Sequence, residues 1–282
     1  MKRMWGLLIV LSWLVGCASD ECAEGKCIEE VEAEWGASRI LALEPNTGEL
    51  RWGVNFQGET LDILGLQDGG QSVVVVAADP CFDADRRYAF VVDAEVATEA
   101  EVLPTFQPET ETDLCTEVTV AGAPGAYGFQ YLNGFCIGII PSSGALVAVD
   151  PTDNTEEWRS ELAAFVHYVY GNAVLAVAQV TIGTLVRYRL YRIAVADGST
   201  IWQFEQPTRM TPVGANNELV FMLDTRPFAV SVVTGDLIWR NVEDWLFLPG
   251  QDTGALLGNT LYLTREYLAP SPCIENDTDT QL

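Results

Sequence analysis

After Trp35 the chain breaks into short apolar runs rich in Val, Leu, Ile and Tyr, separated by Gly, Asn, Asp and Pro. Such runs read as half-buried and buried strands joined by turns, and no long stretch keeps the period of an amphipathic helix. The pattern predicts an all-β fold. Two regions near the start depart from it. Met4 to Val15 is an apolar run of about twelve residues behind Lys2 and Arg3, short for a bilayer span but right for a signal sequence. Ala18 to Glu34 is small and acidic, the composition of a solvated linker.

The strand-like runs also repeat. Leu43-Glu44-Pro45-Asn46-Thr47-Gly48-Glu49-Leu50-Arg51-Trp52 recurs as Val149 to Trp158, as Ile193 to Trp202 and as Val230 to Trp239. The residue four before each Trp is Gly48, Asn154, Gly198 or Gly235. Gly and Asn accept a positive φ most readily, so each copy predicts two strands joined by a tight hairpin turn. A worn fifth copy, Phe90 to Ala97, has the strand and the acid Asp93 but no Trp after it, and it falls inside the 106-residue interval from Trp52 to Trp158. The other intervals are 44 and 37 residues. Strand-like repeats of this period are propeller blades of four strands rather than two-helix solenoid units.

The ends of the repeat fit a closed ring. The first copy enters at Ile40, late in its repeat, and Gly258 to Thr264 supplies earlier strands with no Trp hairpin after them. Pairing the two would complete one blade from both chain ends and remove exposed edges. The expected architecture is therefore a β-propeller of five or six four-stranded blades over residues 35–269. A signal peptide over 1–16, an acidic tether over 17–34 and a polar tail over 270–282 make up the rest.

Composition sharpens this picture mainly by exclusion. The 282 residues carry 40 acidic and 15 basic side chains, a formal charge of -25. Affinity for nucleic acid comes from Lys and Arg displacing counterions, so a nucleic-acid partner is excluded. With 49% hydrophobic residues the chain still buries a full core. His167 is the single histidine, which leaves no material for a His-rich metal site or a histidine-based triad elsewhere. It lies in Phe165-Val166-His167-Tyr168-Val169-Tyr170 and reads as a half-exposed strand residue rather than a base.

The seven cysteines divide into one and six. Leu14-Val15-Gly16-Cys17 resembles the lipobox of bacterial lipoproteins, in which the peptide is cut before a lipidated cysteine. That resemblance implies a lipid anchor on Cys17, and Ala18 in place of an aspartate points to the outer membrane. Loss of Lys2 and Arg3 would leave a mature charge of -27. The remaining Cys22, Cys27, Cys81, Cys115, Cys136 and Cys273 are an even set in an exported chain, read as up to three disulfides with pairing open. None has CxxC spacing, which argues against a metal site.

The repeated hairpin resembles the PQQ-type, or quinoprotein-like, β-propeller repeat, Ala-x-Asp-x-x-Thr-Gly-x-x-x-Trp, and Ala42 to Trp52 matches it with Glu44 in the acidic position. Pro212-Val213 and Glu218-Leu219-Val220-Phe221 resemble the earlier part of the same repeat. The resemblance implies that Trp52, Trp158, Trp202 and Trp239 pack between blades as structural residues. It does not extend to PQQ itself, because no adjacent cysteines and no set of calcium ligands beside a catalytic aspartate can be placed, and no cofactor is expected.

Candidate chemistry is sparse. Asp79, Asp83 and Asp85 around Cys81 offer hard oxygen ligands, a weak calcium candidate without the glycine and glutamate of an EF-hand loop. Glu109, Glu111, Asp113 and Glu117 form a second acidic stretch, read as solvated surface. No catalytic residue is assigned. With its lipobox the chain resembles the BamB family, which implies a non-catalytic, outer-membrane-anchored scaffold facing the periplasm. Its expected partners are envelope proteins, including outer-membrane assembly components. The alternative is a small-molecule or calcium-binding periplasmic enzyme using the propeller funnel.

Overall fold

The computed structural model describes residues 37–57, 59–78, 85–92, 96–107, 114–120, 127–170, 173–242, 247 and 253–266. Every regular element among them is a strand. β1 (Ala37–Leu43) and β2 (Leu50–Gln57) open the chain. Blade II follows as β3 (Glu59–Gln67), β4 (Ser72–Ala78), β5 (Asp85–Val91) and the two-residue β6 (Glu99–Ala100). Blade III is β7 (Tyr127–Leu132), β8 (Phe135–Ile140), β9 (Ala145–Val149) and β10 (Glu156–Ser160). Blade IV is β11 (Ala164–Tyr170), β12 (Ala173–Ile182), β13 (Leu185–Ala194) and β14 (Thr200–Gln206), and blade V is β15 (Thr211–Ala215), β16 (Leu219–Leu223), β17 (Pro227–Ser231) and β18 (Leu237–Arg240). Finally β19 (Thr253–Leu257) and β20 (Thr260–Glu266) return to pair with β1, giving blade I the order β19-β20-β1-β2.

The result is a propeller of five four-stranded antiparallel sheets, the lower of the two blade counts expected. Closure runs through six facing pairs from Ser38 opposite Glu266 to Leu43 opposite Leu261, so the ring has no open edge at the chain ends. The middle strands are fully apolar and buried on both faces: β9 and β16 have no exposed residue, which is why they read as continuous runs rather than alternating ones. The core is accordingly divided among the seams. Ile40, Trp52, Val73 and Phe90 fill the seam of blades I and II, and Leu41, Leu43, Phe221 and Leu263 that of V and I. Leu146, Trp158, Val174 and Ile193 fill III to IV, and Leu175, Val177, Met222 and Phe228 fill IV to V.

The remaining seam, between II and III, is built differently. No described cluster joins the two sheets directly; Val118 and Val120 of the segment before β7 pack instead on Ile140, Val147 and Val149 of blade III. A disulfide between Cys115 and Cys136, both buried, pins that segment to β8. On the other side of the seam, Gln67 holds the chain beyond β6 by donating to the Glu101 carbonyl and accepting from the Leu103 N–H. This is where the worn repeat lacks its Trp.

Candidate functional site

The repeated Trp residues form an interlock between successive blades. Each indole Nε1–H donates to a backbone carbonyl in the turn of the next blade: Trp52 to Val92 at 3.3 Å, Trp158 to Val195 at 2.6 Å, Trp202 to Val232 at 2.7 Å and Trp239 to Pro45 at 2.8 Å. The ring then lies on the glycine of that turn. A Cβ built on Gly48 would stand 2.5 Å from Trp239, one on Gly198 2.6 Å from Trp158, and one on Gly235 2.8 Å from Trp202. Those glycines have φ near +70°, and Asn154 has φ +61°. Asn154 has a Cβ because the preceding blade sends no Trp onto it; its Oδ1 accepts instead from the Thr119 N–H of the disulfide-pinned segment. Carboxylates cap the same turns, from the acidic position of the repeat in Asp150 and from directly before the turn glycine in Asp197. Asp150 accepts from Thr152, which holds its carboxyl below the usual range, and Asp197 is lowered in the same way by Ser199. These residues build the scaffold and one rim of the ring.

The opposite rim carries the features suited to recognition. In blade IV, β11 ends its pairing at Ala164 opposite Ala178 and β14 at Gln206 opposite Tyr188, yet β12 and β13 continue to Ile182 opposite Leu185. The hairpin therefore projects past its neighbours. Its tip exposes Ile182, Leu185 and Val186, between 46% and 57% accessible. At its base Phe165 meets Tyr188 edge-on with ring centroids 6.1 Å apart, and the Arg209 guanidinium stands 5.0 Å above the Phe165 ring. Around the hairpin Arg189 pairs with Glu205 at 2.6 Å, while Arg187 and Arg209 add positive charge in a strongly acidic chain.

Beside the hairpin a cavity of about 620 Å³ opens between blades III and IV, lined by Gly128, Gln130, Ile139, Pro141, Phe165 and His167. His167 Nε2 lies 3.1 Å from the Ile137 carbonyl across the seam. Burial lowers its pKa, partly offset by backbone hydrogen bonds to Ile137 and Gly128, which favours the neutral ring that bridges the two blades. On the same rim a polar knot closes seam IV to V. The buried Asp224 carboxylate accepts from Arg240 at 2.6 Å, Gln206 at 3.1 Å and Thr208 at 3.1 Å, while Arg240 also donates to Gln206. All partners are satisfied there, so the knot is a structural tie.

The other residues singled out in the sequence separate clearly. Cys17, Cys22, Cys27, Cys81 and Cys273, together with Asp79 and Asp83, lie outside the described residues. Asp85 is the first residue of β5. Among the described residues no three His, Cys, Asp or Glu side chains gather as a metal-binding group. The blade IV hairpin escaped sequence reasoning because its apolar residues look like any strand; only the pairing register shows that they extend beyond the sheet.

The topology defines a five-bladed β-propeller. Residues 128–244, which span blades III to V, match the family model described as "Outer membrane protein assembly factor BamB". Over those residues the repeat is of the PQQ-type, BamB-like kind. No curated protein matches the chain. Among solved structures, BamB from Moraxella catarrhalis is similar at 9% identity over 80% of this chain and 90% of its own, with a TM-score of 0.25. The β-propeller domain of Myceliophteria thermophila Cps50 (Swd1) gives 11% identity over 80% and 76%, with a TM-score of 0.36. Quinohemoprotein alcohol dehydrogenase ADHIIG from Pseudomonas putida HK5 gives 10% over 80% and 63%, with a TM-score of 0.27. The sheet topology, not these loose superpositions, carries the fold assignment.

Proposed function

We propose that the protein is a non-catalytic scaffold of the bacterial envelope, anchored to the outer membrane through lipid on Cys17 and engaging other envelope proteins through the rim of blade IV. The observation that carries this reading is the projecting hairpin tip of Ile182, Leu185 and Val186. Contiguous exposed apolar side chains on a folded domain mark interaction surfaces, and here nothing in the fold requires the strands to continue beyond their neighbours. Arg187 and Arg209 around it supply charge complementarity to an acidic partner. The resemblance to a lipobox and the match of residues 128–244 to the BamB family model support a role for this surface in barrel assembly.

Affinity capture of the lipidated chain from membranes, with partners identified by mass spectrometry, tests the reading. Recovery of barrel-assembly components by the wild type, lost in an Ile182→Asp/Leu185→Asp variant that melts normally, is the expected result. Equal recovery by both, or a tightly bound small molecule with no protein partner, would overturn it in favour of ligand chemistry in the funnel. Anchoring has its own test: Cys17→Ser should shift the protein from the membrane to the soluble periplasmic fraction.

A further inference from the structure

The five blades share one template, so a residue that departs from it without structural need is informative. In three Trp-bearing blades the position facing the Trp on the neighbouring strand is alanine: Ala42 opposite Trp52, Ala148 opposite Trp158, Ala229 opposite Trp239. All three are fully buried. Blade IV alone among these has an arginine there, Arg192 opposite Trp202. The seam does not need it. Trp202 already donates to the Val232 carbonyl at 2.7 Å, as the other Trp residues do to theirs, and Arg192 adds a second bond to the same oxygen, also at 2.7 Å.

What the arginine does create is a site. It lines a cavity of about 300 Å³ on the Trp-turn rim between blades IV and V, with Tyr170, Asn216 and Asn217 as the other polar groups and Leu175 and Val220 among the apolar ones. No carboxylate lines this cavity in a chain with 40 of them. The Arg192 Nε is buried with no hydrogen-bond partner, and among the described residues no carboxylate pairs with its guanidinium. Asn216 spends its Oδ1 on the Glu218 and Leu219 N–H groups, which leaves its amide N–H₂ to donate. A half-buried cation, neutral donors and an apolar wall in a pocket of ligand size together describe a receptor for an anion with a short hydrocarbon part.

We propose that the seam of blades IV and V binds a carboxylate carried on a small apolar group, with Arg192 as its counter-ion. The carboxylate belongs either to a free short-chain organic acid or to the C-terminus of a peptide. This site is separate from the hairpin surface and does not depend on the scaffold reading. Titration calorimetry of the full chain with isobutyrate, acetyl-Gly-Val acid and acetyl-Gly-Val amide tests it. Binding of isobutyrate and the peptide acid but not the amide supports a small-acid site; binding of the peptide acid alone supports a peptide-terminus site. Arg192→Ala restores the residue of the sister blades and should keep the melting temperature while weakening the carboxylate by at least about tenfold. Arg192→Gln serves as a second variant that retains bulk and polarity without charge. Saturable binding of the amide equal to the acid, undiminished binding by either variant, or no binding of either acid up to ~10 mM would each overturn the proposal.

Discussion

A single turn position shows how much of this molecule is decided by individual side chains. Gly48, Gly198 and Gly235 satisfy two demands at once, a positive φ and a Trp ring seated on the missing Cβ. The first demand is legible in sequence, because Gly and Asn share it; the second is not, because the Trp belongs to another blade. The two demands can be separated. Gly198→Asn keeps an acceptable φ but drives a Cβ into Trp158, and should cost about 1–3 kcal/mol by urea unfolding. Asn154→Gly loses only the bond from Thr119 and should cost about 1 kcal/mol. Equal losses would show that backbone conformation alone matters. His167 offers a second test at this scale. Its folded pKa lies below the ordinary 6.5, so the unfolded chain takes up the proton first. Stability from this residue is complete above pH 6.5 and declines as pH falls below it. His167→Gln should flatten the part of the melting curve between pH 7.5 and about pH 5.5 that wild type shows.

At the scale of elements, the seam of blades II and III is the exception that explains several oddities of the sequence together. The worn repeat without a Trp, the Asn in place of Gly at 154, and the pair Cys115 and Cys136 are far apart in the chain, yet they meet at one place. A segment held by a disulfide takes the position that sheet-to-sheet packing and an indole fill elsewhere. The cysteines could be read as disulfide material, but their partners could not, since pairing depends on the route of the chain between blades. Closing a loop of 21 residues, the bridge should contribute about 3 kcal/mol. Cys115→Ala/Cys136→Ala is expected to lower stability by that order under oxidising conditions and to leave the reduced proteins indistinguishable, as read by denaturant midpoints. The Asp224 knot gives a sharper loss: Asp224→Ala strands Arg240 and Gln206 and should cost about 3 kcal/mol or more, seen in the same experiment.

For the whole molecule, the blade was legible because its period, turn residues and Trp recur; the count settled at five only when the strands were paired. The closing strands make a cooperative demand. Removing β19 and β20 would strip blade I of two strands and expose β1 along its edge, so a chain truncated after residue 252 should lose the sharp thermal transition by circular dichroism, whereas trimming 267–282 should leave it intact. The same closure gives the ring a direction in space. Ser38 faces Glu266 at the rim that bears the blade IV hairpin, and the chain enters and leaves the ring at that one corner. If the proposed lipid on Cys17 holds the chain at the membrane, its pull at the amino-terminal side would turn the hairpin towards the bilayer and its embedded proteins, and the Arg192 cavity towards the open aqueous compartment. One molecule would then present two faces to two different phases of the envelope.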